Sequence, residues 1–282
     1  CLYPYLELTF WSNLSIGISS YRLFFWLACT AVLAISYAGI KKRQLPLKKS
    51  LLVLMSMALA VPLGARLLHF ATNPLIYQQN PAKLWSLHLT GFSLMGGLIL
   101  AALTGIILSR WLHFDPWPLA DSVAPGLGIG IILMRIGCYL NGCCFGRITG
   151  LPWAVHFPVG SIPYKHYLPG IIEKKSLFPL ALINSPGIHP TQIYELLAAL
   201  IITIIVIYLS RKKVPSGVPF LVFTLLFALF RWINSLFRVP ASTLSVAEWF
   251  YPLLYLMIIS LSIILLILRF RSQRATLDSS DC

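Results

Sequence analysis

Acidic residues are scarce in this chain, with eight Asp and Glu among 282 residues against 22 Lys and Arg. Charged residues of both signs make up 11% and hydrophobic ones 58%, at a mean hydropathy of +0.81. A water-soluble domain could not cover its surface with so few charges, which leaves a polytopic membrane protein. A disulfide scaffold is excluded as well, because six cysteines are spread over the length and two of them are Cys1 and Cys282. The net charge of +14 would suit nucleic acid, yet no basic stretch is interleaved with aromatics to form a groove. The cations fall instead in short clusters between apolar runs: Lys41-Lys42-Arg43, Lys48-Lys49, Arg211-Lys212-Lys213, and Arg269, Arg271 and Arg274. Clusters of this kind report topology and contact anionic lipid, so membrane lipids are expected partners and nucleic acid is not. No internal repeat and no soluble catalytic domain is present. The first apolar run is long and lacks a small-residue cleavage site, so no cleavable signal peptide is expected.

Seven apolar runs reach or approach the roughly 20 residues that cross a ~30 Å hydrocarbon core. They are predicted near 18–40, 50–71, 90–109, 119–140, 190–209, 216–236 and 246–268. The expected fold is all-α, a single membrane-embedded helix bundle over residues 1–282. A small extracytoplasmic cap is expected in the Pro-, Gly- and Tyr-rich insertion at about 141–189. The loops after the first, third and fifth helices and the C-terminal tail carry twelve Lys and Arg; the opposite side carries six. The positive-inside rule then puts the N-terminus outside and the C-terminus in the cytoplasm.

The remaining arginines lie within the apolar runs. Arg22 falls in the opening turn of the first helix, and Arg66, Arg135 and Arg231 in the exit turns of the second, fourth and sixth. An ionisable residue at that depth costs about 3 kcal/mol on insertion scales. A single arginine can snorkel to the headgroups. Four in one layer, with His69, Met95, Asn141, His189 and Glu195, suit an anionic headgroup. Their concentration at one face argues against a transporter, whose polar path runs through the midplane.

The segment Arg135-Ile-Gly-Cys-Tyr-Leu-Asn-Gly-Cys-Cys-Phe-Gly-Arg147 is the densest in chemistry. Its Cys138, Cys143 and Cys144 admit two readings, a disulfide stapling the helix end to the cap or a thiol nucleophile or redox pair. Gly96-Gly97 serves either close helix packing or backbone approach to a headgroup. In His189-Pro-Thr-Gln-Ile-Tyr-Glu195, Pro190 sits near a first turn and Thr191 is a candidate cap. Glu195 either stabilises that helix start or pairs with an arginine. Arg231 and Arg238, seven residues apart, share a helical face.

Taken in order, these segments resemble the prolipoprotein diacylglyceryl transferases of bacterial inner membranes. The likeness covers about residues 14–240 and is carried by Gly64-Ala-Arg-Leu67, Gly91 to Gly97, Asp121-Ser-Val-Ala-Pro125, Arg135 to Arg147, Pro152 to Pro158, His189 to Glu195 and Phe230 to Arg238. The resemblance implies transfer of a diacylglyceryl group from phosphatidylglycerol to a lipobox cysteine thiol on a secreted precursor, by a monomer needing no cofactor or metal. It implies Arg135 and Arg231 as catalytic cations. Arg66, Ser93, Gly96, Gly97, Asn141, Gly146, Arg238 and Glu195 are implied as substrate-binding. Departures are specific: the family's histidine is Met95, its first asparagine in the long signature is Cys138, and two glutamates are Cys143 and Ser235. A tyrosine early in its first helix matches Tyr21 only weakly. Met95 cannot accept a proton, which leaves His69 and His189 as candidate bases. Two other readings stay open, a thiol-dependent lipid transferase with a different acceptor and a non-catalytic phospholipid-binding protein.

Overall fold

A computed structural model of the chain describes residues 5–10, 14–81, 94–173, 184–239 and 249–280. Two antiparallel strands open it, β1 (Tyr5–Phe10) and β2 (Leu14–Ser19), paired from Tyr5 with Ser19 to Phe10 with Leu14. Helices follow: α1 (Ser20–Lys42), α2 (Leu47–Thr72), α3 (Pro74–Gln79), α4 (Leu94–Trp111), α5 (Pro116–Asn141), α6 (Ile162–Glu173), α7 (Thr191–Leu209), α8 (Val218–Phe237) and α9 (Phe250–Ser280). Six of them, α1, α2, α5, α7, α8 and α9, are long and apolar enough to cross a membrane, and α4 supplies a shorter apolar helix. The seven predicted runs coincide with these seven helices, so the protein is a polytopic membrane helix bundle. The N-terminal hairpin was not predicted, and α9 continues well past the predicted end near 268.

The order of packing follows from where side chains are small. Buried positions take up 39% of the most apolar stretch of α5 but only 11% of that of α9, which makes α5 the central helix and α9 a peripheral one. α5 carries Gly126, Gly130 and Gly137 on the side that meets α1. A methyl group added at Gly130 would stand 2.7 Å from Val32 Cγ2, and one at Gly137 2.7 Å from Phe24 Cβ. Lipid tails are as apolar as leucine, so such close backbone approach, rather than apolar burial, brings membrane helices together. The outward faces are correspondingly apolar, with Leu59, Ile107, Ile204 and Met257 all exposed.

α2 and α4 form a second close pair. A Cβ on Gly64 would collide with the Gly96 carbonyl oxygen, and one on Gly96 with the Gly64 carbonyl oxygen. A Cβ on Gly97 would come within 2.6 Å of the Val61 oxygen. This pair joins the rest through a cluster at the lysine-rich end, where Ile40, Val53, Leu54, Leu119 and Val123 are buried against Met57 and Leu108. A second cluster of Ala124, Ile202, Val206 and Phe223 holds α5, α7 and α8 together.

At the lysine-rich end, Asp121 is buried and its carboxylate accepts from the backbone N–H of Gly217 at 2.8 Å and of Phe220 at 3.1 Å. It thereby supplies the acceptor that the first turn of α8 lacks within its own helix. Arg43 lies 3.8 Å from the same carboxylate.

Candidate functional site

At the opposite end, α5 stops on Gly142, whose φ of +70° is in the left-handed region. The N–H of Gly142 donates to the Tyr139 oxygen at 3.1 Å and that of Cys143 to the Cys138 oxygen at 3.0 Å. This paired closure is the Schellman ending, in which the residue beyond the glycine folds back over the last turn. Here the two residues it brings together are Cys143 and Cys138. Cys144 then takes a φ of +62°, and its sulfur joins theirs, all three Sγ atoms lying within 4.8 Å of one another. All three are free thiols.

The chain beyond Cys144 is laced between two helix ends. Gly146 N–H donates to the His189 oxygen at 3.1 Å and His189 N–H to the Arg147 oxygen at 3.0 Å, while Arg147 N–H donates to the Phe237 oxygen at 2.8 Å and Val239 N–H to the Phe145 oxygen at 3.2 Å. Residues 145–147 thus run as a middle strand joining the start of α7 to the end of α8. A side chain at Gly146 would meet His189 and, at 2.9 Å, the Phe237 oxygen. Tyr167, from α6, donates to the Gly146 oxygen at 2.9 Å, and burial pushes its phenol up, against the opposing charge of Arg147. Phe145, Phe157 and Ile188 form a small core under this segment. The Thr191 hydroxyl donates to the Cys144 oxygen at 2.7 Å and Gln192 Nε2 to the Cys143 oxygen at 2.8 Å. Thr191 therefore does not cap its own helix, as its position predicted; Pro190 occupies the cap and the hydroxyl anchors the cysteine turn.

Glu195 is the centre of the charge arrangement. Only 1% exposed, it holds Arg135 Nη2 at 2.7 Å on one oxygen and Arg231 Nη1 at 2.9 Å on the other. Asn234 Nδ2 adds a bond at 3.3 Å to the second oxygen. Of the two roles open in the sequence, the structure thus gives Glu195 the arginine pairing. Two guanidinium groups against one carboxylate leave the trio with one surplus positive charge. The Nε of Arg135 is buried without a hydrogen-bond partner. Arg135 Nη1 also lies 3.9 Å from Cys138 Sγ. Hydrogen bonds from the Cys138 and Cys143 thiols hold the Cys144 thiol well below the usual thiol range, with Arg238 and Arg135 adding to that and burial opposing it.

The predicted residues separate into groups. Arg135, Arg231 and Glu195 meet directly, and Asn141, which hydrogen-bonds the Cys143 thiol, together with Gly146 and Arg238, lies in the adjoining turn and strand. Tyr21 joins them from α1, its Cα 3.7 Å from a Cβ built on Gly137. Arg66 is buried on α2 and takes no part in the Glu195 ion pairs. Gly96 and Gly97 are placed in the packing of α4 on α2. Ser93 and the side chain of Met95 lie outside what is described. His69 and His189 each have Nδ1 at a tyrosine hydroxyl, Tyr77 at 2.7 Å and Tyr194 at 3.2 Å. Arg66, Arg135 and Arg231 each stand six residues before their helix ends, about 9 Å inside them, one residue further than the predicted ends near 71, 140 and 236 imply. Sequence reasoning missed Asn234 and Gln192, whose signal is a polar residue on an apolar helix beside a charged one.

Fold and site together define a membrane-embedded protein with a buried cationic centre at one end of its bundle, of the kind that receives an anionic group. Residues 9–270 match the family model for prolipoprotein diacylglyceryl transferase, and the chain belongs to that family. It is 31% identical over 194 residues to the phosphatidylglycerol–prolipoprotein diacylglyceryl transferase of Geobacter sulfurreducens, covering 68% of this chain and 66% of that relative. It is 29% identical over 232 residues to the enzyme of that name from Dehalococcoides mccartyi, covering 79% of each. To that of Thermus thermophilus it is 30% identical over 169 residues, covering 60% of this chain and 61% of the relative. The chain thus spans slightly less than two thirds of the Geobacter and Thermus proteins.

Proposed function

We propose that this protein transfers a diacylglyceryl group from phosphatidylglycerol to the cysteine thiol of a secreted lipoprotein precursor. The observation that carries this reading is the Arg135–Glu195–Arg231 trio with the unpartnered Arg135 Nε. A guanidinium fork matches phosphate oxygens, and one surplus charge suits a phosphodiester, which carries one negative charge. In the reaction the acceptor sulfur forms a bond to the glycerol carbon, and the bond from that carbon to the phosphate oxygen breaks with its electron pair. Glycerol phosphate leaves. Arg135 and Arg231 stabilise the charge that builds on the departing phosphate. The same positive field favours thiolate over thiol at the acceptor.

Under this reading Asn141, Gly146 and Arg238 shape the headgroup site next to the trio, and Arg66, Ser93, Gly96 and Gly97 bind lipid from the side of α2 and α4. The chain acts as a monomer and a single membrane-embedded domain in the bacterial inner membrane. Its segment at about 141–189 forms a cap outside, with the N-terminus outside and the C-terminus in the cytoplasm. The deciding assay is transfer of labelled diacylglyceryl from phosphatidylglycerol to a lipobox peptide by the purified protein. No transfer, with phosphatidylglycerol still bound, would leave only a lipid-binding role.

A further inference from the structure

The three thiols demand an explanation that the phosphate clamp does not provide. They converge because the helix ending puts Cys143 on Cys138 and the left-handed turn at Cys144 swings a third sulfur onto both. Sulfurs in a tetrahedral zinc site, 2.3 Å from the metal, stand about 3.8 Å apart, so atoms already within 4.8 Å need close by no more than about 1 Å. Three thiolates on a divalent cation leave one negative charge. The Arg135 guanidinium beside Cys138 Sγ and the charge of Arg238 are placed to offset it. Among the described residues, no fourth His, Cys, Asp or Glu completes the group. Sites with four protein ligands are structural, whereas three protein ligands leave a position for a reacting molecule.

We propose that Cys138, Cys143 and Cys144 bind a zinc ion whose fourth position takes the sulfur of the acceptor cysteine. This deepens the transferase reading and rests on it for the acceptor. The need is chemical. The acceptor must react as thiolate, yet Glu195 is engaged by two arginines, and His69 and His189 hold tyrosine hydroxyls. A thiol bound to zinc is deprotonated outright. On zinc uptake the three cysteines release three protons to water, and the acceptor releases a fourth as it displaces the open-site ligand. The zinc-held sulfur then donates an electron pair to the glycerol carbon, and the carbon–oxygen bond breaks towards glycerol phosphate. The product is a thioether, a weak ligand, and it leaves the metal.

Metal content of the full chain, extracted in detergent under reducing conditions without chelator, tests the first half. One zinc per chain is expected, falling at least tenfold in Cys138→Ser, Cys143→Ser and Cys144→Ser. Should any variant fail to fold, cobalt substitution of the intact protein gives the same information through its thiolate charge-transfer band. Adding a lipobox peptide should change the cobalt spectrum, and the peptide with serine in place of cysteine should not. Metal-free protein that takes up no zinc, a disulfide among the three cysteines, or bound copper instead of zinc would each overturn the proposal. Undiminished transfer by zinc-free protein would overturn it while leaving the transferase reading intact. A cobalt protein that responds to the peptide, with no diacylglyceryl transfer by the zinc form, would instead sink the transferase reading and support the metal site.

Discussion

Replacing Glu195 by Gln removes one charge and keeps the shape, and the geometry around it gives the outcome a size. Two guanidinium groups lie at 2.7 and 2.9 Å from a carboxylate that is 1% exposed. Arginine cannot shed its proton, so both charges persist after the substitution. Breaking a buried pair by deleting one partner costs about 3–5 kcal/mol, chiefly from the charge left uncompensated. For a chain of this length roughly 2 °C accompanies each kcal/mol, so the melting temperature of Glu195→Gln should fall by about 6–10 °C. An anion that enters the site supplies the missing charge. At a hundred times its dissociation constant such a ligand restores about 2.7 kcal/mol. Melting in detergent, with and without added phosphatidylglycerol, measures both effects, and phosphatidylcholine serves as the zwitterionic control. The expected pattern is a large drop that phosphatidylglycerol mostly reverses and phosphatidylcholine does not. An unchanged melting temperature, or a drop that both lipids reverse equally, would refute the reading of this trio as a site for an anionic headgroup.

Other outcomes follow from the same geometry. Arg135→Lys and Arg231→Lys keep the charge but lose the planar fork, so phosphatidylglycerol binding should weaken about tenfold or more; unchanged lipid binding would count against the clamp. Gly64→Ala and Gly96→Ala each push a methyl into the facing backbone, and thermal unfolding should show a loss of about 1–3 kcal/mol or more. Gly142→Ala places a side chain at φ +70°, with an expected loss of about 1 kcal/mol and slower formation of any crosslink between Cys138 and Cys143 by a short bifunctional thiol reagent. A reporter fused after Arg274 should be active only in a cytoplasmic format, and activity outside would reverse the orientation.

The helices were legible because uninterrupted apolar length is nearly sufficient to define a membrane span, and all seven came out within a few residues at most ends. What apolar length misses is structure made by backbone pairing. The hairpin β1–β2 and the laced strand at residues 145–147 contain no long apolar run, and the laced strand's hydrogen bonds join residues some 40 to 90 positions apart, such as Gly146 to His189 and Arg147 to Phe237. Arg135, Arg231 and Glu195 could be picked out as unusual, since each is an ionisable residue in an apolar helix. That one carboxylate would take both arginines was not readable, because it depends on how α5, α7 and α8 are rotated about their axes. The same holds for Asp121, which the sequence marks as rare but does not connect to the start of α8.

That last contact has a mechanical side. α5 is fastened to α8 twice, directly by Asp121 at one end and through Glu195 by Arg135 at the other, fourteen residues or about 21 Å away. A rod pinned at both ends can neither pivot nor slide against its neighbour without breaking a buried polar contact. α5, α7 and α8 thus form a braced frame, and under the proposed reaction the parting that admits a two-tailed lipid is assigned to α2 and α4. That pair meets the frame at the lysine-rich end through a cluster of apolar side chains, with Val53 and Leu54 of α2 against Leu119 and Val123 of α5.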